Sequence, residues 1–307
     1  MREATLFLFL AHNIRKALWV VSVSLCISLL TACSHTPAHQ FNVYAEQRGF
    51  ERHSILGKPF QHTLYYLPER ARTKTRTKAK ILHVYIDGDG SPFLQYRYPA
   101  IDPTPHRTIL LDLMRKDPQQ SLYLGRPCYH QQAIPKSSHA DPLCHRANHR
   151  YWTNERYAKV IVKSLFIALK RYVQHHYAAD DSLSIVLIGF SGGGTLSMLL
   201  APYVIDLSQT LAVVTLAGNL DSDRWARYHH YQPLIGSLNP AKQAPLAAPI
   251  KQLHLLGDND KNILASMINP VIKQQYNAKF IRLVNANHHC CWHTVWPDIL
   301  DNLTLLD

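Results

Sequence analysis

Ser191, in Gly189-Phe190-Ser191-Gly192-Gly193, is the residue of this chain best set for covalent chemistry. A serine hydroxyl is a poor nucleophile near pH 7. It needs a base to take its proton, and the base needs a carboxylate to hold its tautomer and stabilise the imidazolium. Candidates for both follow along the chain. Gly257-Asp258-Asn259-Asp260 offers two carboxylates and Asp221 a third, while Asn285-Ala286-Asn287-His288-His289 offers two imidazoles, with His293 just beyond. Such a set would serve acyl transfer. Negative charge developing on the attacked carbonyl then needs N–H donors, which the start of a helix supplies.

Those side chains need elements to carry them. Residues 183–188 are short, apolar and rich in β-branched side chains, as suits a strand buried on both faces of a parallel sheet. Gly192, Gly193 and Gly194 break the run, and residues 195–200 restore helix formers, so the chain must turn from strand to helix at Ser191. Further strands are expected over 63–67, 80–86, 121–124, 211–216, 250–256 and 280–284. The second of these ends in Asp87-Gly88-Asp89-Gly90 and the fourth in Ala217-Gly218-Asn219-Leu220-Asp221. Helices are expected over 103–115, from a Thr153 cap to about 176, over 263–276 and from about 294. This alternation implies a mostly parallel sheet with helices on both faces. Residues 125–151 and 222–249 lack periodicity and read as irregular excursions able to cover a site.

Residues 1–32 read as a targeting segment. Arg2, Arg15 and Lys16 precede an apolar run over 17–30 that is short for a membrane span, and Leu30-Thr31-Ala32 leads into Cys33. Small residues before a cysteine resemble the lipobox of bacterial lipoproteins. That resemblance implies cleavage before Cys33, acylation of its thiol and stable attachment to a membrane surface. Ser34 after it implies the outer membrane. Residues 33–50 are polar and unpatterned, as a tether would be, leaving 51–307 as one domain.

The formal net charge is +12, and removing residues 1–32, with three basic residues and one acidic, lowers it by two. A basic surface facing anionic lipid is the simplest reading. Nucleic acid is a poorer one, because the densest basic run, residues 70–80, has no aromatic side chains for base stacking. Cys128 and Cys144 form the expected disulfide, closing a loop of about 15 residues.

Two rival chemistries deserve weighing. Asp87-Gly88-Asp89-Gly90 and Asp258-Asn259-Asp260-Lys261-Asn262 suggest calcium loops, but neither has the glycine at the sixth position and the glutamate at the twelfth of an EF-hand. His288-His289-Cys290-Cys291-Trp292-His293 packs five potential zinc or copper ligands into six positions, yet adjacent residues rarely bind one ion together and no CxxC is present. Cys290 and Cys291 could pair with each other, stay as thiols or reach a distant partner. A third possibility is a non-catalytic surface module on an enzyme-like fold.

The order Ser191, then aspartate, then histidine, with the glycine-flanked serine at a strand-to-helix turn, resembles the α/β-hydrolase superfamily over roughly residues 60–305. The resemblance implies Ser191 as nucleophile, Asp260 as acid and His288 as base, acting without a cofactor on a small-molecule or acyl substrate. Gly257, Asp260 and Ile263 match the family's spacing after that strand, which prefers Asp260 over Asp258, with Asp221 in reserve. Asn287 stands where the family usually has glycine before the histidine, which leaves His289 and His293 open. The oxyanion hole would use the N–H of Gly192 and one from Gly88-Asp89-Gly90, foremost that of Asp89. An aspartate, Asp87, stands where the family often has histidine; it would fall outside the site or bind a substrate ammonium.

Overall fold

The computed structural model describes residues 36–68, 80–106, 109–131, 142–177 and 182–303. The targeting segment, Cys33 and nearly all of the basic run at 70–80 lie outside them. Eight strands form one sheet: β1 (Glu51–Leu56), β2 (Gln61–Tyr66), β3 (Ile81–Ile86), β4 (Gln120–Leu124), β5 (Ser184–Phe190), β6 (Thr210–Leu216), β7 (Lys251–Gly257) and β8 (Ala278–Leu283). Their order is β1-β2-β4-β3-β5-β6-β7-β8. β1 pairs antiparallel with β2 and β2 with β4, and every other neighbouring pair is parallel.

The burial pattern follows the sequence. β5, β6 and β7 are buried from their second residue on because helices cover both sides; β5 and β6 are almost wholly apolar, while β7 buries Gln252 and His254 on one face. β1 and β8, at the two edges, are mostly exposed or half-buried and carry the mixed polar side chains that an edge tolerates. Among the helices, α1 is Pro37–Gln47, α2 Ile109–Met114, α3 Lys159–His176, α4 Gly192–Val204, α5 Ser222–Tyr228, α6 Ala265–Ile272 and α7 Trp292–Leu303. α4 packs on β3, β5 and β6 and against α3, while α2 packs on β3, β4 and α7.

Registry sets where the chemistry lies. Ile86 is opposite Gly189, Gly189 opposite Thr215, Leu216 opposite Leu255 and Gly257 opposite Leu283. The segments that leave β3, β5, β6, β7 and β8 therefore emerge at one carboxyl edge of the sheet.

Three expectations need correction. The tether predicted over 33–50 is a helix from Pro37 to Gln47: Thr36 Oγ1 accepts the His39 N–H, and Ala38, Phe41 and Ala45 are buried, with the Phe41 ring 5.3 Å from that of Tyr65 and 5.5 Å from that of Tyr123. An apolar residue every three or four positions was too sparse a signal to register as a stripe. Thr153 does not cap α3, which begins six residues later. A short 3₁₀ segment, Arg146–Trp152, comes first, and Thr153 Oγ1 instead donates to the His149 carbonyl. The stretch 222–249 is not wholly irregular, since α5 opens it with Asp221 accepting the Arg224 N–H.

Cys128 and Cys144 are disulfide-bonded, with 5.0 Å between their Cα atoms. Opening a loop of this size costs about 3 kcal/mol. Replacing both cysteines by serine is expected to lower the urea midpoint of unfolding accordingly; an unchanged midpoint would show that the bond restrains nothing.

Candidate functional site

The turn from β5 to α4 holds Ser191 at φ 52°, ψ −117°, a conformation that costs a non-glycine residue of order 1–3 kcal/mol. Hydrogen bonds on both sides hold it there. The Ser191 N–H donates to the Leu216 carbonyl at 2.9 Å, and the Ser191 carbonyl accepts from the N–H groups of Gly194 and Asn219 at 3.0 Å each. Gly193 has to be glycine, since a Cβ there would overlap the Ile86 carbonyl oxygen. The hydroxyl is thus presented at the carboxyl edge of the sheet.

The turns after β7 and β8 bring the other two groups to it. His288 Nε2 lies 3.1 Å from Ser191 Oγ, and His288 Nδ1 lies 2.8 Å from Asp260 Oδ2. The other Asp260 oxygen accepts the N–H groups of Asn262 at 2.8 Å and Ile263 at 2.9 Å, which fixes the carboxylate. Both side chains are buried, Asp260 completely. An aspartate that accepts at Nδ1 places the imidazole proton there and leaves the Nε2 lone pair facing the serine.

The reserve residues are elsewhere. Asp221 caps α5 and accepts Asn239 Nδ2 at 3.0 Å. Asp258 is exposed and pairs with Arg282 at 2.8 Å. His289 is exposed with its ring edge-on to that of His288, and His293 is exposed on α7. Cys290 and Cys291 are bonded to each other, so neither sulfur is a free thiolate, and among the described residues no three or more His, Cys, Asp or Glu side chains converge on a metal-sized position.

The Asp87-Gly88-Asp89-Gly90 segment sits directly over the serine. A Cβ on Gly88 would come 3.3 Å from Ser191 Cβ. The Gly88 N–H donates to Asp87 Oδ1 at 2.7 Å, so of the expected hole residues Gly88 is already committed. Asp87 itself does not face a substrate. It is buried, and its second oxygen accepts the Tyr123 hydroxyl at 3.1 Å. Burial pushes its carboxyl up to about 6, against the opposing pull of the Gly88 N–H.

Asp89 is held in another way. Its Oδ1 accepts Arg126 Nη1 at 2.6 Å, its Oδ2 accepts Arg156 Nη1 at 2.9 Å, and the Tyr157 hydroxyl donates to either oxygen at 2.7 Å. Arg126 also donates to the Gly88 carbonyl, and the Tyr129 hydroxyl to that of Asp89. Burial disfavours the Asp89 anion, but Arg156 and Arg126 outweigh it and hold the carboxyl at about 2. The loop is therefore clamped by its side chain and its carbonyls, and none of these bonds engages the Asp89 N–H.

Sequence reasoning missed Arg126, Arg156, Tyr157 and Asn262. Arg126 lies in an aperiodic stretch, and Arg156 and Tyr157 fell at the start of the helix expected from Thr153, so nothing marked any of them as buried. Asn262 was read only as part of an acidic run. Its Nδ2 is 3.0 Å from His288 Nε2, its Oδ1 accepts Trp225 Nε1 at 3.0 Å, and its carbonyl is 2.8 Å from His229 Nε2. The bond from Trp225 fixes the amide orientation, so Asn262 and Ser191 share the Nε2 lone pair.

No protein-family model and no curated protein sequence matches the chain. Solved structures do. Est1E from Butyrivibrio proteoclasticus superposes with a TM-score of 0.50 at 14% identity over 83% of this chain and 98% of that one. A membrane phospholipase A described as a bacterial virulence factor gives 0.50 at 14% over 94% and 97%. A puromycin-hydrolyzing peptidase of Mycobacterium tuberculosis gives 0.53 at 14% over 82% of this chain and 38% of that one. With its mostly parallel eight-stranded sheet flanked by helices, the chain has the α/β-hydrolase fold.

Proposed function

We propose that this protein is a serine hydrolase that cleaves an ester, thioester or amide through an acyl-enzyme, with esters favoured. One observation carries the reading: an unbroken hydrogen-bonded relay from Ser191 through His288 to Asp260, at the carboxyl edge of the sheet. Ser191 Oγ attacks the substrate carbonyl carbon while His288 Nε2 takes its proton, and Asp260 stabilises the imidazolium so formed. The carbonyl π electrons move to oxygen, where the N–H groups of Gly192 and Asp89 receive them. Collapse expels the alkoxide, thiolate or amine, which leaves with the proton from Nε2. Water then repeats the sequence on the acyl-serine.

Support for an ester comes from the named activity of the phospholipase neighbour. The peptidase neighbour keeps the amide within reach. Acylated Cys33, with Ser34 after it, would hold the enzyme at the outer membrane on its periplasmic side. A fluorophosphonate probe is expected to add covalently at Ser191 and to add nothing to Ser191→Ala. A folded protein that refuses the probe would overturn the proposal.

Gly192→Ala tests the hole. A Cβ on Gly192 would overlap Asp89 Oδ1 and crowd the Tyr157 hydroxyl, so it must displace the clamped loop from the serine. A fall in kcat of about a hundredfold or more is expected, with a smaller change in KM, as for the loss of one oxyanion donor. Unchanged kcat would remove Asp89 from the hole.

A further inference from the structure

A short antiparallel ribbon follows the Asp89 loop, with Phe93 opposite Pro99 and Leu94 opposite Tyr98. Gln95 and Tyr96, both at positive φ, make its tip. All six residues from Phe93 to Tyr98 are exposed, and the apolar ones are large: Tyr96 is 90% exposed, Tyr98 55% and Leu94 54%, with Ile101 following at 65%. The ribbon is rooted firmly. Ala100 donates to the Pro92 carbonyl, Ser91 to that of Pro103, and Trp152 Nε1 to that of Ala100. Burial therefore explains its anchorage but not its tip.

We infer that this ribbon docks into a lipid surface and turns the Ser191 site toward acyl esters resident in the membrane. Leucine and isoleucine suit the acyl boundary and tyrosine the headgroup level. Residues 91–101 contain no carboxylate, and their one charge is Arg97, which matches an anionic surface in a chain of net charge +12. The next carboxylate, Asp102, is turned inward to the N–H groups of Thr104 and Ala38. That last bond places the first turn of α1 beside the ribbon. In the sequence only Ser34 and His35 separate Cys33 from Thr36, so an acylated Cys33 would tether the domain through the start of α1. The substrate class depends on the hydrolase reading; the docking does not.

The test uses the full chain on vesicles of phosphatidylcholine and phosphatidylglycerol, with and without bromine on the acyl chains. Tyr96→Trp is expected to add blue-shifted emission that brominated vesicles quench. Added emission that stays unquenched overturns the docking, whether it remains at the wavelength of exposed tryptophan or is blue-shifted in a protein of doubled mass, which would make a second copy the occupant. A double variant, Leu94→Ser with Tyr96→Ser, is expected to lower hydrolysis of a vesicle-borne ester about tenfold while leaving a soluble short-chain ester untouched. Equal loss on both overturns the assignment of the substrate class. Quenching in a protein that hydrolyses neither would mean that the hydrolase reading had failed while the docking stood.

Discussion

His288→Ala is expected to lower kcat by about 10⁴- to 10⁶-fold, while His289→Ala keeps nearly the rate of the unsubstituted protein. The two imidazoles are adjacent in sequence and differ wholly in environment. His288 is buried, accepts from Ser191 at Nε2 and meets Asp260 at Nδ1. His289 is exposed, and its ring lies edge-on to that of His288. Without His288 nothing takes the Ser191 proton, and the remaining rate comes from binding and the oxyanion donors alone. Asp260→Asn should fall between these extremes, because an amide at that place can hold the wrong tautomer. Rates on a soluble ester, with circular dichroism to establish folding, check the series. Loss in His289→Ala with retention in His288→Ala would move the base by one residue.

The second large effect is on stability in acid. Three histidines are buried and held neutral: burial brings His62 and His254 down to about 4, and burial followed by the charge of Arg52 brings His130 to about 3. His62 is locked between the Gly125 carbonyl and Ser164 at 2.8 Å each, while His130 Nδ1 and His254 Nε2 have no partner among the described residues. In the unfolded chain each binds a proton near 6.5, so the stability they contribute is complete above pH 6.5 and drains away as pH falls toward 4. The displacements correspond to about 3 kcal/mol each for His62 and His254 and about 5 kcal/mol for His130, against a total stability of roughly 5–15 kcal/mol for a domain.

Asp87 has the opposite sign. Its folded value, about 6, exceeds its ordinary 3.8, so its contribution grows as pH falls between those limits and offsets one histidine, not three. Asp89, held at about 2, adds a loss only below 3.8. The urea midpoint should therefore drop steeply between pH 7 and pH 4. In His254→Leu, which removes a buried imidazole partnered only at Nδ1, by Thr215 Oγ1 at 2.9 Å, the drop should shrink by about half, because Asp87 already offsets one of the three histidines. An equal midpoint at both pH values would refute the account.

Strand existence was legible where apolar runs were long, as in β5 and β6, because a strand buried on both faces favours such a run. β1 was missed: an exposed edge strand with the sequence Glu51-Arg52-His53-Ser54 has no such pattern. α1 was misread as a tether because its burial comes from Phe41 and two alanines rather than from a full stripe. Helix bounds were drawn too long at 103–115 and 263–276, since α2 and α6 occupy only Ile109–Met114 and Ala265–Ile272.

The candidate site divides in the same way. Sequence alone determined the serine turn and the chain order of serine, aspartate and histidine, because glycine spacing and strand ends are local properties. Tertiary structure decided which aspartate and which histidine meet, since Asp258 and Asp260, like His288 and His289, differ only in which way the turn points them. It also decided that Asp87 turns inward while Asp89 is clamped by Arg126, Arg156 and Tyr157. Those partners stand between 37 and 68 residues away along the chain, and only folding brings their charges close enough for the carboxylate to stay ionised when buried.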